Sequence, residues 1–240
     1  MAYAQITPII GEPQQGALNV IDTVQRAPLG LVIQAVDNYL GYGEFKYVAF
    51  PTSTAFSVGQ LVHLQGYGVG APNVILAPNT ANTGRSIAVI INTVASNAAV
   101  QYGWVQISGE CLIKAVASVA AGTSFGIDAT TAGSVNAVSA GRQVLNAVSI
   151  APSTTTVVKT NVQTQNGSPV IVAKDIDGWL VGLTMSGTGI SGTILSVDTD
   201  NRTVTLSANA TATGTITATA TYTGFIVGLI SRAFIQGAIT

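Results

Sequence analysis

Charge is scarce in this sequence. Only 8% of the 240 residues are Asp, Glu, Lys or Arg, whereas about 25% is usual in a globular domain. The net charge is −1 and the nine basic residues are scattered, so the sequence lacks the basic patch typical of nucleic-acid binding. A neutral surface rich in hydroxyl groups suits a protein that stays packed against other proteins, because a free monomer usually needs more charge to remain soluble.

Histidine and cysteine occur once each, at His63 and Cys111. A single cysteine cannot form an intrachain disulfide, and the apolar neighbours of Cys111 predict a small buried side chain. His63 lacks the Cys or His partners of a zinc site, and a nucleophilic triad would have to recruit it together with a distant acid. We therefore expect no enzymatic activity, no catalytic residue, no cofactor and no metal. The alternative left open is a glycosidase pair of Glu44 and Glu110, if the fold brings them together.

Long apolar runs are also missing, although 48% of the residues are hydrophobic. No segment approaches the roughly 18 uninterrupted apolar residues of a membrane span. The N-terminal sequence MAYAQITPIIGEPQQG has no basic region followed by an apolar core, which a secretory signal requires. We therefore expect no membrane partner.

The sequence instead carries the pattern of β-strands. β-branched and aromatic residues recur in runs of four to eight between clusters of Gly, Pro, Asn and Ser. Such short strands predict an all-β, sandwich or barrel-like core domain. Within Val100–Gly122 we expect two strands separated by a glycine turn. The predicted strands are LVIQAV (31–36), EFKYVAF (44–50), QLVHLQ (60–65), SIAVII (86–91), GWVQIS (103–108), CLIKAV (111–116), QVLNAVS (143–149) and GFIVGLI (224–230).

Two segments of the sequence depart from this strand pattern. Residues 1–27 contain prolines and glycines in a weakly patterned segment, which predicts an extended N-terminal arm, disordered or ordered against a neighbour. Residues 161–223 are rich in threonine. In TVTLSANATATGTITATATYT (203–223), hydroxyl or amide residues alternate with small apolar ones, which predicts strands with one hydroxyl face and one apolar face. The preceding residues predict a hairpin that turns at Asp198–Arg202.

Two short motifs have a ligand-binding and a structural interpretation. GTGISG (187–192) matches the dinucleotide fingerprint, but β-branched residues follow it where a helix is required, so we favour a tight turn. DIDG (175–178) and DTDN (198–201) offer oxygen ligands to a hard cation, but neither has the spacing of a calcium loop. Asp and Asn are common in ordinary turns, which is the interpretation that we favour.

Three segments and the last residues of the chain carry short motifs that follow one another in a characteristic order. They are LGYGEFKYVAF (40–50), VQYGWVQISGECLIKAVASVAAG (100–122), TAGSVNAVSAGRQVLNAVSIAP (131–152) and, at the end, ISRAFIQGAIT (230–240). This order resembles the decoration, or cement, proteins of tailed-bacteriophage heads. Those proteins have a GEF-x-Y strand, then QYGW-x-Q-x-SG, an AAG turn, a TAG turn and a final strand with an Arg-aromatic pair. The resemblance covers roughly residues 28–155 and 224–240.

The family pattern implies an insertion in this chain. The strand with NA near its middle is soon followed by the terminal strand in the family, whereas roughly sixty residues intervene here. We therefore predict that residues 161–223 form a β-module inserted into a discontinuous core domain of residues 28–160 and 224–240. Lengthening a surface loop costs only about 0.6 kcal/mol per doubling. The module is expected to project outward.

The resemblance implies a structural virion protein. Such a protein binds the major capsid protein on the outer surface of the shell, as a homotrimer where capsomers meet, after assembly in the host cytoplasm. We expect the N-terminal arm and core loops to make the capsid and intersubunit contacts. The residues expected at these interfaces are Tyr39, Tyr42, Tyr102, Trp104, Arg232 and Phe234.

The strand that contains Trp104 predicts which face of the sheet its side chain lies on. Alternation in QYGWVQIS places Trp104 on the more polar face, with Gln106 and Ser108. A large aromatic there is either capped by a neighbouring loop or buried at an interface, and we favour an interface.

Two other classes of protein remain open. The first is a fibre or spike protein that binds a receptor or glycan, for which Trp179, Tyr222 and the threonine face are the candidate contacts. The second is an enzyme such as a glycan hydrolase.

Overall fold

The structure is a computed structural model that describes residues 4–5, 18, 20–37, 39–66 and 74–238. Every helix or strand assigned in these residues is a β-strand, so the predicted all-β class is confirmed. The strands are β1 (Ala4–Gln5), β2 (Val32–Asp37), β3 (Gly41–Phe50), β4 (Leu61–Leu64), β5 (Val74–Leu76), β6 (Ile87–Ile90), β7 (Gln101–Lys114), β8 (Phe125–Ile127), β9 (Val135–Ala137), β10 (Val144–Ala151), β11 (Thr156–Thr164), β12 (Val170–Val172), β13 (Thr184–Gly187), β14 (Ile190–Asp198), β15 (Thr203–Leu206), β16 (Gly214–Thr221) and β17 (Phe225–Ile235).

The chain divides into two compact units. The core unit comprises Tyr3–Pro152 and Gly224–Thr240, and the barrel unit comprises Ser153–Thr223. The start predicted for the module, residue 161, falls inside β11. Asn161 has a φ of 58° and lies between Lys159 and Val162, where the pairing of β11 with β16 shifts register. This bulge interrupts the alternation within β11, so residue 161 marks an irregularity inside a strand, and the barrel unit begins earlier, at Ser153.

The core unit is built on one large antiparallel sheet. Its strands follow the order β1-β2-β3-β7-β6-β4-β5, and β17 pairs with both β7 and β10. One apolar cluster includes Cys111, Phe125 and Ile230, all with no exposed surface. A second cluster includes Phe50 and Phe56, whose ring centroids lie 5.5 Å apart. Apolar residues cover both faces of much of this sheet, so the simple alternation of apolar and polar residues breaks down here.

The glycine turn predicted within residues 100–122 does not exist. β7 is one continuous strand from Gln101 to Lys114, and Gly109 takes a φ of 102° within it. Gly109 pairs with Gly43 of β3, and a Cβ atom on Gly109 would clash with the carbonyl oxygen of Tyr42. The glycine is therefore required by the close approach of two strands rather than by a reversal of the chain.

The barrel unit lies in sequence between two strands that pair with each other. β10 and β17 are antiparallel, with partners from Val144↔Ile235 to Ala151↔Val227. The chain thus leaves the core sheet at the end of β10 and re-enters it beside its point of departure. Without the intervening residues, β10 and β17 would form a simple hairpin.

The barrel unit is a closed barrel with the strand order β11-β12-β15-β14-β13-β16. Ala218 and Ala220 of β16 are fully buried, while Thr215 and Thr217 are exposed. On β15, Val204 and Leu206 point inward. The structure therefore confirms the hydroxyl face and the apolar face on these strands. The predicted hairpin turn is also present, since the Asp198 carboxylate accepts hydrogen bonds from the backbone N–H groups of Asp200 and Asn201.

The described part of the N-terminal arm is fastened to the core unit of its own chain. β1 pairs with β2, and the Asn92 side chain donates a 2.8 Å hydrogen bond to the Leu18 carbonyl oxygen. Asp22 forms a backbone bridge with Tyr102, and the Arg26 N–H donates to the Tyr47 hydroxyl. The remaining residues of the predicted arm, 1–3, 6–17 and 19, lie outside the described residues.

Candidate interaction surface

The turn between β2 and β3 exposes two tyrosines. The Asp37 carboxylate accepts hydrogen bonds from the N–H groups of Tyr39 and Leu40 at 2.8 and 2.9 Å. Gly41 then takes a φ of 71°, which glycine adopts without steric cost. Leu40 is buried. Tyr39 is left 45% exposed and Tyr42 73% exposed.

Tyr42 belongs to an outward-facing row of side chains that crosses the sheet. It pairs with Val36 on β2. On the other side of Tyr42 the row continues with Glu110 on β7. Glu110 pairs with Leu229 on β17, and Leu229 pairs with Val148 on β10. Leu229 is 41% exposed. We call this row of Val36, Tyr42, Glu110, Leu229 and Val148 the apolar row, because four of its five members are apolar.

A polar row runs beside the apolar row. Gln34 pairs with Glu44, Glu44 with Ser108, and Ser108 with Ser231. Glu44 accepts hydrogen bonds from Nε and Nη2 of Arg232 at 3.1 and 3.4 Å. Because Arg232 is largely exposed, this ion pair contributes less than about 1 kcal/mol to stability. The two rows together form a sheet surface with aromatic, aliphatic and hydrogen-bonding groups.

Arg232 lies at an irregular point of β17. Ala147 of β10 pairs with Ile230, but the next paired residue, Leu145, faces Phe234. Between these pairs, Arg232 has a φ of 47° and Asn146 a φ of 59°, values that are uncommon for residues other than glycine. The bulge turns the Arg232 side chain to Glu44 on β3.

The six residues predicted for the interface differ in their exposure. Tyr39, Tyr42 and Arg232 are exposed, whereas Tyr102 and Phe234 are half-buried. Trp104 is only 5% exposed and packs edge-on against Tyr47, with ring centroids 5.0 Å apart. Trp104 was expected to be either capped by a neighbouring loop or buried at an interface, and the structure shows it buried within its own chain. Its ring therefore leaves little surface for a partner, contrary to the interface that we favoured.

The burial of Trp104 has a structural cause that its strand pattern does not reveal. Tyr47 pairs with Trp104 across β3 and β7 and also stacks on Tyr102, with centroids 6.5 Å apart. The chain before β2 lies over this group, since Arg26 hydrogen-bonds to the Tyr47 hydroxyl and Gly30 to the Tyr47 carbonyl oxygen. A segment distant in sequence thus covers a face that alternation alone marks as polar.

Leu229 and Lys46 are surface residues that the sequence analysis did not select. The alternation of GFIVGLI could have marked Leu229, because Ile230 and Gly228 point to the buried face. Lys46 had no such signal, since its surroundings depend on strands far apart in the sequence.

Glu44 and Glu110 project from the same face, at diagonal positions of adjacent strands. Such positions lie about 7–8 Å apart. Glu44 is engaged in the ion pair with Arg232.

The single histidine and the single cysteine are both buried. Burial lowers the pKa of His63 to about 4, and the positive charge of Arg85 adds to the effect. The Nε2 atom of His63 lies 3.5 Å from the Thr83 hydroxyl. Burial raises the pKa of the Cys111 thiol well above its usual range, and reactivity requires the thiolate. Cys111 is therefore a packing residue, as predicted.

The acidic turns of the barrel unit are satisfied by their own chain. The Asp175 carboxylate accepts hydrogen bonds from Lys159 Nζ at 2.5 Å and from the Asp177 N–H at 2.9 Å. The hydrogen bond from Lys159 holds the pKa of Asp175 below its usual value. Among the residues that the structure describes, no group of three or more His, Cys, Asp or Glu side chains could hold a metal ion.

The glycine motif at 187–192 forms a tight hairpin turn, as we favoured. Gly187 of β13 pairs with Ile190 of β14, and Gly189 between them has a φ of 73°. A strand therefore follows the glycines, and the helix that would hold a pyrophosphate is replaced by β14.

The aromatic residues suggested for a glycan site are internal to the barrel unit. Trp179 is 1% exposed, and Tyr222 is fully buried. The Trp179 indole N–H donates to the Val157 carbonyl oxygen at 3.3 Å, and the Tyr222 hydroxyl donates to the Gly178 carbonyl oxygen at 3.0 Å. These two residues stabilise the barrel, and only the threonine face of that candidate site is exposed.

Comparison with known proteins found no matching family model, no matching curated protein and no matching solved structure. Across the described part of the chain, none of the structure forms a helix long and apolar enough to cross a membrane.

Proposed function

We propose that this protein is a capsid decoration protein, which binds the outer surface of the major capsid shell of a tailed bacteriophage as a homotrimer and stabilises it. The observation that carries the proposal is the exposed apolar row beside the polar row on the core sheet. Tyrosine at such a surface supplies a large contact area and a hydrogen-bonding hydroxyl group, which is why it is enriched at protein interfaces. Tyr42 is the strongest candidate for a contact because it is 73% exposed.

The stabilising mechanism follows from mass action. A protein that binds the assembled shell and not its separated subunits shifts the equilibrium toward the shell. A trimer adds avidity when its three contacts engage together, and it loses that avidity where the spacing of the shell subunits forbids simultaneous contact. Binding should therefore be selective for the expanded, mature shell.

The order of β10, barrel unit and β17 also supports the proposal. The family pattern places the last two core strands close together in sequence, and here β10 and β17 pair as such strands would. The barrel unit then adds a second module to a complete core sheet.

The second candidate function is a fibre or spike protein that binds a receptor or glycan. The observation that favours it is the outer surface of the barrel unit, where the hydroxyl face includes Thr215 and Thr217 and apolar side chains such as Leu195 are 56% exposed. Copy number separates the two functions, since a decoration protein is present in hundreds of copies per particle and a spike in a few.

The decisive experiment is a sedimentation assay with purified shells. Wild-type protein should bind undecorated mature shells, bind precursor shells weakly, and keep most of its binding at raised salt, because the attraction is mainly hydrophobic and hydrogen-bonded and salt screens only its ionic part. Tyr42→Ala should weaken binding, whereas Leu195→Ala, which removes a similarly exposed side chain from the barrel unit, should not. Equal binding to both shells would contradict the mechanism. Binding to host cells or glycans instead of shells would favour the spike.

The oligomeric state is tested separately by light scattering. The proposal requires a particle of three times the 24.4 kDa chain mass at micromolar concentration. A monomer mass would exclude the stable trimer.

A further inference from the structure

A cavity of about 220 Å³ opens in the core unit. It lies where β7 stops pairing with β6 and starts pairing with β17. β7 pairs with β6 at Val105 and Gln106 and with β17 from Ser108. Ile107 lies between these two contacts. Glu44 and Phe45 are consecutive on β3, but they pair with Ser108 and Gln106 on β7. Ile107 is therefore an extra residue on β7 that has no partner position on β3. The cavity is thus produced by a bulge and a change of strand partner at the same position.

The cavity has an apolar floor and a cationic rim. Ile87, Ile107 and Leu64 contribute apolar lining. Ile87 and Ile107 are 1% and 7% exposed. Lys46 and Arg232 are the charged residues of the described lining. We call this site the Lys46–Arg232 pocket.

Its size selects the kind of group that it can hold. Small-molecule and cofactor sites usually measure about 300–1,000 Å³, so a cavity of about 220 Å³ is better matched to one side chain or one chain end. A pocket of this size on a protein surface is suited to an anchor residue of a partner protein.

The positive charge at the rim of the Lys46–Arg232 pocket favours an anionic ligand. Glu44 lies beside the pocket and accepts hydrogen bonds from Nε and Nη2 of Arg232, so the Nη1 group of the guanidinium lies outside that pair. Lys46 adds a second positive charge, and the three residues together carry a net charge of about +1. A carboxylate accepts hydrogen bonds from both types of cation.

The backbone at Arg232 supports a specific role for this side chain. Its φ of 47° is unfavourable for a residue with a Cβ atom, and unfavourable backbone conformations are concentrated at binding sites, where the side-chain direction matters. The bulge in β17 turns Arg232 away from the strand ladder and toward the rim that it shares with Lys46.

We propose that the Lys46–Arg232 pocket binds a carboxylate carried on a short apolar body, contributed by a partner protein as an acidic side chain or as a C-terminal residue. The assignment of that partner to the capsid shell rests on the proposed function, whereas the chemistry of the pocket does not. The carboxylate meets Lys46 and Arg232, and the apolar body packs on Ile87 and Ile107.

The test uses three small probes and the full-length protein. N-acetyl-leucine presents a chain-end carboxylate, N-acetyl-glutamic acid α-amide presents a side-chain carboxylate, and N-acetyl-leucinamide is the neutral control. Methyl-labelled protein reports binding through the NMR signals of Ile87, Ile107 and Leu64. We expect saturable shifts with one or both acids and at least tenfold weaker binding of the neutral amide. The tighter acid identifies the source of the carboxylate.

Charge variants complete the test. Lys46→Gln and Arg232→Gln should each weaken acid binding several-fold, and raised salt should weaken it in the wild type. Lys174→Gln removes an exposed lysine from the barrel unit and should change nothing. If Arg232→Gln fails to fold, Lys46→Gln alone still decides the role of the rim charge.

Two results would overturn the inference. One is equal binding of the acids and the neutral amide, and the other is the absence of saturable shifts at these methyl groups. Neither result depends on shells, so a failure of the pocket is distinguishable from a failure of the wild-type protein to bind them.

Discussion

The carbonyl oxygen of Tyr42 lies where a side chain on Gly109 would have to be. β3 and β7 therefore approach each other closely beside Tyr42, a member of the apolar row. The conformation of Gly109, with a φ of 102°, adds a second reason for glycine at this position.

Gly109→Ala should destabilise the core unit by about 2 kcal/mol or more, because the new Cβ atom meets backbone atoms that cannot move aside cheaply. Gly122→Ala is the matched control, since Gly122 has a φ of 75° and open space around its Cβ position. It should cost only about 1 kcal/mol, from backbone conformation alone. Urea denaturation measures both changes, and equal costs would show that the contact with Tyr42 is unimportant.

Trp104→Ala should lower the free energy of unfolding by about 3–5 kcal/mol, the range for removing a buried aromatic side chain. The ring is 5% exposed and packs on Tyr47. Tyr42→Ala, at an exposed aromatic position, should change stability by less than about 0.5 kcal/mol. The opposite pattern, with normal stability and lost assembly for Trp104→Ala, would return Trp104 to an interface.

Deleting residues 153–223 and joining Pro152 to Gly224 through a short linker should leave a folded core unit. Ala151 and Val227 already pair across the deletion site, so the linker has only a hairpin turn to complete. A cooperative thermal transition and a light-scattering mass of three times the shortened chain are the expected results. Loss of the transition would show that the barrel unit is needed for folding, and a monomer mass with the transition intact would place the trimer contacts in the barrel.

His63 should make stability depend on pH in the range from about 6.5 to about 4. Its pKa in the folded chain, about 4, lies below the ordinary value of 6.5. In this range the unfolded chain binds a proton that the folded chain does not, so the free energy of unfolding falls as the pH falls, by up to about 3 kcal/mol. Below about pH 4 both states are protonated and this contribution stops changing.

The measurement is urea denaturation across this pH range, for the wild type and for His63→Gln. The substitution should remove most of the slope. An NMR titration of His63 in the wild type gives the folded pKa independently of the variant's stability. A pKa near 6.5, or a slope that survives the substitution, would contradict the prediction. Carboxylates with lowered pKa values, such as Asp175, act only at lower pH.

Much of the fold could be predicted from local patterns. The alternation of threonine with small apolar residues predicts which face of β15 and β16 is buried, because successive side chains on a strand point to opposite sides. Asp198 marks its turn because a carboxylate next to a reversal can accept backbone N–H hydrogen bonds. These outcomes depend on neighbours within a few residues, and the sequence contains all of them. The phage role rests on a resemblance of motifs and stays a prediction.

The amino-acid sequence by itself determined the all-β class, the positions of most strands and turns, and the two faces of the barrel strands. Only the tertiary structure decided that Gly109 continues a strand, that Trp104 and Trp179 are buried, and that Lys46 and Arg232 share the rim of one pocket. The physical reason is that burial depends on what covers a strand face. The covering segments are distant in sequence, as Arg26 and Gly30 are from Trp104, so no local periodicity records them.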